Sequence, residues 1–320
     1  MKILVTGAAG YVGSVLCHKL ISEGHEVIGI DNMMYGGKSL LGLINNPNFR
    51  LIIDDISNTG SYKKFIDSNT VVVNLAAIVG EPAANKFPLL TKATNIEATK
   101  KIIDLAASRN AKKFIFISTC SNYGKVAPNA LANEDSELNP LSLYAETKVE
   151  MELYLKKKVD DNLNWTILRF ATIYGLSPRP RFDLTVNDFT LHAIIDKKLL
   201  IYLPKTNRPY LHVIDAARAI QLIVNKIKET ANNVYNVGAT EENYRKIDIV
   251  EQIKSIIGDF KVEFIERGTD LRDYRVSFEK IKSELGFFIT KRVRNGIEEI
   301  YRAIEKKLIK DFSNPEYYNV

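Results

Sequence analysis

Seven residues near the start constrain this chain more than any others: Gly7-Ala8-Ala9-Gly10-Tyr11-Val12-Gly13. The Gly-x-x-Gly-x-x-Gly run directly follows Ile3-Leu4-Val5-Thr6, which reads as a strand, and it opens a helical segment. Glycines at this spacing permit a tight turn and a close backbone approach to a pyrophosphate. The helix N-terminus behind them supplies free N–H groups and the positive end of a dipole. A glycine triplet alone is a weak signal. Here it gains weight from Asp31, 18 residues past Gly13, at the end of the second apolar run. A carboxylate there can accept both hydroxyls of an adenosine ribose and repels a 2′-phosphate, which selects NAD over NADP. Nearby Gly37-Lys38-Ser39 imitates the end of a P-loop, but that motif needs a glycine where Asn32 stands.

Further short runs follow: Glu26–Ile30, Arg50–Ile53, Val71–Val73, Lys113–Ile117 and Trp165–Leu168. They are apolar almost throughout, as strands covered on both faces are. The segments between them are long enough for crossover helices, most clearly over 89–108 and 142–158. Strand–helix alternation of this kind predicts an α/β fold, a Rossmann-type doubly wound parallel sheet. Past residue 175 the pattern loosens around Ser177-Pro178-Arg179-Pro180, Pro204 and Arg208-Pro209, and a charged helix is expected near 292–309. Residues 1–174 read as the dinucleotide domain, and 175–320 mainly as a smaller C-terminal α/β substrate domain. The boundary is soft enough for the chain to cross back.

Of 320 residues, 46% are hydrophobic and 26% charged, which excludes disordered, collagen-like and coiled-coil architectures. Net charge is +6, from 44 basic and 38 acidic residues, spread along the chain. It suits an anionic ligand. The basic residues do not cluster with aromatics, so no nucleic-acid partner is expected. Cys17 and Cys120 cannot form a disulfide framework, and no apolar run approaches the ~18 residues of a membrane span. The opening residues are too short for a signal peptide. A cytoplasmic protein is the expectation. The four histidines, His18, His25, His192 and His212, lack ligand spacing with one another, so no metal is expected. No Gly-x-Ser-x-Gly elbow occurs either.

Tyr144 and Lys148 stand four apart, one helical turn, and so share a face. A free phenol, with a pKa of ~10, is a poor base at neutral pH. A neighbouring ammonium, together with the charge of an oxidised nicotinamide, favours its ionised form. The pair alone is common. It gains meaning from Ser118-Thr119-Cys120-Ser121-Asn122-Tyr123-Gly124, which follows the fifth strand at the carboxyl edge where open α/β sheets bind ligands.

With these residues the chain resembles the extended short-chain dehydrogenase/reductase family, in its NAD-dependent epimerase/dehydratase branch acting on nucleotide sugars. The matching blocks run in order: Thr6–Gly10, Asp31-Asn32, Asp55-Ile56, Asn74-Leu75-Ala76-Ala77, Asn95, the Thr119 segment, Tyr144 with Lys148, and Leu168-Arg169-Phe170. The resemblance implies that Gly7, Gly10, Tyr11, Val12, Gly13, Asp31 and Asn32 hold the dinucleotide. It puts Asp55 and Ile56 beside the adenine, Leu75, Ala76 and Ala77 along the cofactor channel, and Asn95 near the nicotinamide. Thr119 takes the position that hydrogen-bonds the reacting hydroxyl, Tyr144 is the acid/base, and Lys148 binds the nicotinamide ribose. Cys120 and Ser121 fall in the sugar pocket. Arg181 lies in the substrate-side segment Arg179–Asp183, Asn187 would touch a diphosphate, and Arg208 and Arg272 lie near the nucleotide phosphates, where a planar guanidinium suits phosphate.

Two departures bear on the reaction. The dehydratases of the branch carry Asp-Glu after the catalytic Thr; Cys120-Ser121 stands here, which disfavours 4,6-dehydration. The Ile173–Asp188 segment also differs from the UDP-galactose epimerases, leaving the sugar (hexose or heptose) and the base open. The implied function is an NAD-dependent nucleotide-sugar epimerase working through a 4-keto intermediate. A C4 dehydrogenase or 4-ketosugar reductase is the alternative, and a non-catalytic NAD-binding regulator is disfavoured by the Tyr–Lys pair. The family also implies a homodimer, with 89–108 and 142–158 pairing with their copies. Val149, Leu153 and Leu155 could serve that face or the core.

Overall fold

The computed structural model describes residues 1–127, 129–158, 163–268, 270 and 272–319. In the first half, β1 (Lys2–Thr6) leads through the glycine loop into α1 (Tyr11–Ser22), then β2 (Glu26–Asp31) and β3 (Phe49–Ile53). β4 (Thr70–Asn74), buried along its length, precedes α2 (Glu81–Lys86), α3 (Pro88–Lys92) and α4 (Thr99–Ser108). A π-helical stretch, Ala93–Ala98, joins the last two, so the helix expected over 89–108 changes its hydrogen-bonding pattern midway. β5 (Lys113–Thr119), α5 (Leu143–Lys156) and β6 (Trp165–Phe170) follow.

The second half adds β7 (Thr172–Tyr174), α6 (Thr185–Ile195), β8 (Lys198–Tyr202), β9 (Asn207–His212), α7 (Val213–Asn225) and β10 (Asn233–Val237). After these come β11 (Asn243–Arg245), α8 (Lys246–Ile257), β12 (Lys261–Ile265), α9 (Glu279–Leu285) and α10 (Val293–Glu305).

Seven of the described strands form one parallel sheet in the order β10-β6-β5-β4-β1-β2-β3. The continuous apolar runs are explained by cover on both faces. One face packs Leu16 and Leu20 of α1 and Ile220 and Ile223 of α7; the other packs Ile102, Ile103, Met151 and Leu155 of α4 and α5. Leu155 is thus core, while Leu153 is 55% exposed. The seventh strand, β10, comes from beyond residue 175, carries Asn233 and Asn236, and pairs with β6. A smaller body gathers the β11-β9-β7 sheet, the β12-β8 pair and helices α6, α8 and α10 around Tyr174, Val186, Ile201, Ile249, Ile253 and Ile297. Chain order reverses between β1 and β4, where a doubly wound sheet opens its crevice at the carboxyl ends of the strands.

Candidate active site

A cleft of about 450 Å³ opens at that reversal, between the sheet and the smaller body. Its floor is the glycine loop. Gly7 holds φ +70°, and a Cβ there would meet the Ala76 nitrogen at 2.9 Å. A Cβ on Gly13 would fall 2.0 Å from the Gly7 carbonyl oxygen, so α1 can approach β1 this closely only without a side chain. Thr6 Oγ1 donates to Asn74 Oδ1 (2.8 Å) and accepts from the Ala76 N–H (3.1 Å), fixing the Leu75–Ala77 wall against the loop. Asp31, ending β2, accepts from the Ala9 N–H (2.9 Å) and the Met33 N–H (2.8 Å). Burial pushes its pKa up while these N–H groups hold it down.

The corner that holds Thr119, Tyr144 and Lys148 is built by β5 and α5. Ser142 caps α5 by accepting from the Ala145 N–H, and one helix face then carries Tyr144, Lys148 and Glu152 inward. Lys148 Nζ donates to the Ile117 carbonyl (2.8 Å) and lies 5.9 Å from the centre of the Tyr144 ring. Burial pulls its pKa down to about 8, against Glu152, whose charge raises it. Burial pushes the Tyr144 phenol up to about 12, with the Arg181 and Arg272 guanidiniums pulling down. Thr119 Oγ1 accepts from the Ser121 N–H (3.1 Å), which leaves its own proton free to be donated. Behind the corner, the fully buried Glu152 is gripped by Arg169 (2.7 Å), Ser118 Oγ (2.5 Å) and Asn122 Nδ2 (3.0 Å).

Cations line the opposite wall. Arg181 is bidentate on Asp183 (2.9 and 2.6 Å), and Arg272 is bidentate on Asp270 (2.7 and 2.9 Å). Arg208 also reaches Asp270 (3.0 Å) and the Arg272 carbonyl. Arg179 lies 4.2 Å over the Tyr35 ring and donates to the Glu316 carbonyl (2.9 Å).

Gly7, Gly10, Tyr11, Val12, Gly13, Asp31, Asn32, Asp55, Ile56, Leu75, Ala76, Ala77, Thr119, Ser121, Tyr144, Lys148, Arg181, Arg208 and Arg272 all face this cleft. Three sequence-predicted residues stand behind its wall instead. Asn187 spends its amide on the Gly175 N–H (2.9 Å), the Gly175 carbonyl (3.1 Å), the Arg181 carbonyl (2.8 Å) and the Tyr11 hydroxyl (3.3 Å). These bonds tie it to the 175–181 segment. Asn95 clamps both polar groups of the Ile78 backbone (2.8 and 2.9 Å) and touches Thr147. Cys120, fully buried, donates to the Arg169 carbonyl (3.3 Å). Sequence reasoning missed Glu81, Lys246 and Tyr35, which also line the cleft. Gly80 before Glu81 was a usable signal; Tyr35 and Lys246 sit in no motif.

The sequence model of the NAD dependent epimerase/dehydratase family matches residues 3–238. The chain belongs to that family. This family member is 33% identical over 283 residues to Protein CapI of Staphylococcus aureus, covering 81% of this chain and 84% of that one. Its fold matches the UDP-glucuronic acid 4-epimerase of Bacillus cereus, solved with UDP-glucuronic acid and NAD, at a TM-score of 0.84 and 29% identity, covering 96% and 99% of the two chains. It matches the dTDP-glucose 4,6-dehydratase of Bacillus anthracis, solved with NAD, at 0.83 and 26%, covering 96% and 97%. The cofactor is NAD, and the site fits it. The floor at Gly7 and Gly13 has no room for a Cβ, and a carboxylate waits at the end of β2. Among the described residues no helix is long and apolar enough to cross a membrane.

Proposed function

We propose that this family member is a nucleotide-sugar 4-epimerase acting on a nucleoside-diphosphate hexose or heptose. The observation that carries the reading is the corner itself: Thr119, Tyr144 and Lys148 on one wall of a cleft whose opposite wall is lined by arginines. The glycine loop, Asp31 and Lys148 would hold NAD, which when bound would supply a reversible hydride acceptor. Tyr144 takes the proton of the C4 hydroxyl. Burial pushes its phenol up to about 12 with the Arg181 and Arg272 guanidiniums drawing it down, and the positive charge of an oxidised nicotinamide would favour its ionised form further. Lys148, with a pKa near 8, is mostly charged at neutral pH. Thr119 donates to the C4 oxygen and fixes its direction. Once the 4-keto sugar has turned in the cleft, Tyr144 returns the proton, and the protein ends as it began.

Dehydration needs a further acid and base beside Thr119. Cys120 is buried against a carbonyl, and the Ser121 hydroxyl is paired with the Tyr274 hydroxyl at 3.1 Å. Both favour epimerisation over the reaction named for the dTDP-glucose 4,6-dehydratase relative. We further propose a homodimer through α3–α4 and α5, where Leu89 (83% exposed) and Leu153 are left uncovered.

The test is incubation with UDP-, dTDP- and GDP-hexoses, following the sugar by NMR and the cofactor by absorbance. The C4 epimer with no net cofactor change supports the proposal. A net cofactor change replaces it with a dehydrogenase or ketosugar reductase, and loss of water with a dehydratase.

A further inference from the structure

Among the described residues four arginines line the cleft, and three of them are matched by carboxylates: Arg181 by Asp183, and Arg208 and Arg272 by Asp270. Arg179 is only 5% exposed, yet no carboxylate among the described residues lies within ion-pair distance of it. Its Nε donates to the Glu316 carbonyl (2.9 Å) and its Nη2 to the Tyr318 carbonyl (3.4 Å). The guanidinium lies 4.2 Å over the Tyr35 ring, and Nη1 has no partner among the described residues. A cation buried in this way is costly until an anion meets it. Burial, and then the neighbouring Arg181 charge, draw its pKa down to about 10.

The position of Arg179 identifies the anion. Ser177 Oγ donates to the Tyr11 carbonyl (2.7 Å) and accepts from the Arg179 N–H (3.2 Å), so this turn lies directly on the first residue of α1. That helix begins with no side-chain cap and no acidic residue in its first turn, which leaves its leading N–H groups to a ligand. Tyr35, on the other side, lies four residues past Asp31. Arg179 therefore faces the stretch between the glycine loop and the end of β2, where a doubly wound sheet holds the pyrophosphate and first ribose of a dinucleotide. A 2′-phosphate there would meet the Asp31 carboxylate; the pyrophosphate would not. We infer that Arg179 is a cofactor-binding residue whose free Nη1 serves the NAD pyrophosphate from the side opposite the glycine loop. Two backbone carbonyls and a ring already fix the guanidinium, so little freedom is lost when the anion arrives. The carbonyls belong to a stretch that Glu316 ties to Lys38 (3.0 Å) and that donates the Asn319 N–H to Asp183 (3.4 Å). Dinucleotide binding and the order of the segment carrying Arg181 are thus linked through one side chain. The inference stands on the family's cofactor and is independent of the reaction at C4.

The experiment measures calorimetric Kd values of NAD, NADP, ADP-ribose, adenosine and UDP for the full chain freed of carried-over NAD, and for Arg179→Gln. The variant is expected to bind NAD and ADP-ribose about ten- to a hundredfold more weakly, as loss of one charge-assisted hydrogen bond does. Adenosine and UDP should stay within about twofold of the parent, which shows that the cleft is intact. If Arg179→Gln binds no UDP, Arg179→Lys carries the test, with NAD weakened about three- to tenfold relative to UDP, since an ammonium meets phosphate only as a point charge. Unchanged NAD affinity, or a loss confined to NADP, overturns the inference. So does a loss shared equally by adenosine or UDP, which leaves Arg179 only the task of holding its own segment in shape.

Discussion

At Tyr144 burial and charge pull in opposite directions. The phenol is pushed up to about 12 by burial, while the Arg181 and Arg272 guanidiniums, from two distant segments, draw it back. Tyr144→Phe should lower kcat by about a hundredfold or more with NAD content unchanged, since only the proton carrier is lost; single-turnover assays on the purified holoenzyme check this. The ionised fraction of Tyr144 grows as pH rises through its pKa, and a nearby ammonium lowers that pKa. Lys148→Met should therefore move the rising limb of the kcat/KM–pH profile to higher pH, by about one unit or more, beyond any loss in its plateau. The Tyr–Lys pair was legible because four residues on a helix always share a face. Glu81 was not, because its partner Arg272 lies in a distant segment of the chain and only folding sets them 3.3 Å apart. The partners of Asn187 were not legible for a related reason: an asparagine's partners are set by whichever backbone folds around it.

The elements that build the floor tolerate little. In Gly13→Ala the new methyl would sit 2.0 Å from the Gly7 carbonyl, so α1 must move away from β1. Overpacking of this kind costs about 1–3 kcal/mol, and fluorescence titration should show NAD affinity falling roughly ten- to a hundredfold with it. Asn187→Ala strips four partners from the 175–181 segment. If the residue shapes that segment, thermal unfolding should drop by several degrees and KM should rise with little change in kcat. An unchanged melting temperature with raised KM would instead put its amide on the substrate. The strands were readable from runs such as Val71-Val72-Val73, since burial on both faces demands them. The π-helical turn at Ala93–Ala98 carries no composition of its own, and it exists where Asn95 reaches across to Ile78.

At the scale of the whole molecule, Leu89 of α3 and Leu153 of α5 stay 83% and 55% exposed within one chain. Leu153→Glu should convert a dimer to a monomer in light scattering at micromolar concentration, with the melting temperature of the monomer little changed, because the side chain is already 55% exposed. β10 escaped the sequence because Asn233 and Asn236 break its apolar run, and it is the edge strand that closes the sheet. Its origin has a practical corollary for anyone recombining such enzymes. The half beyond residue 174 also donates a strand and a helix to the sheet that carries the glycine loop, so a single crossover point near residue 174 would leave β6 with a raw edge. Chimaeras would have to carry 213–237 along with the nucleotide half, and only the material around that insert is free to be exchanged.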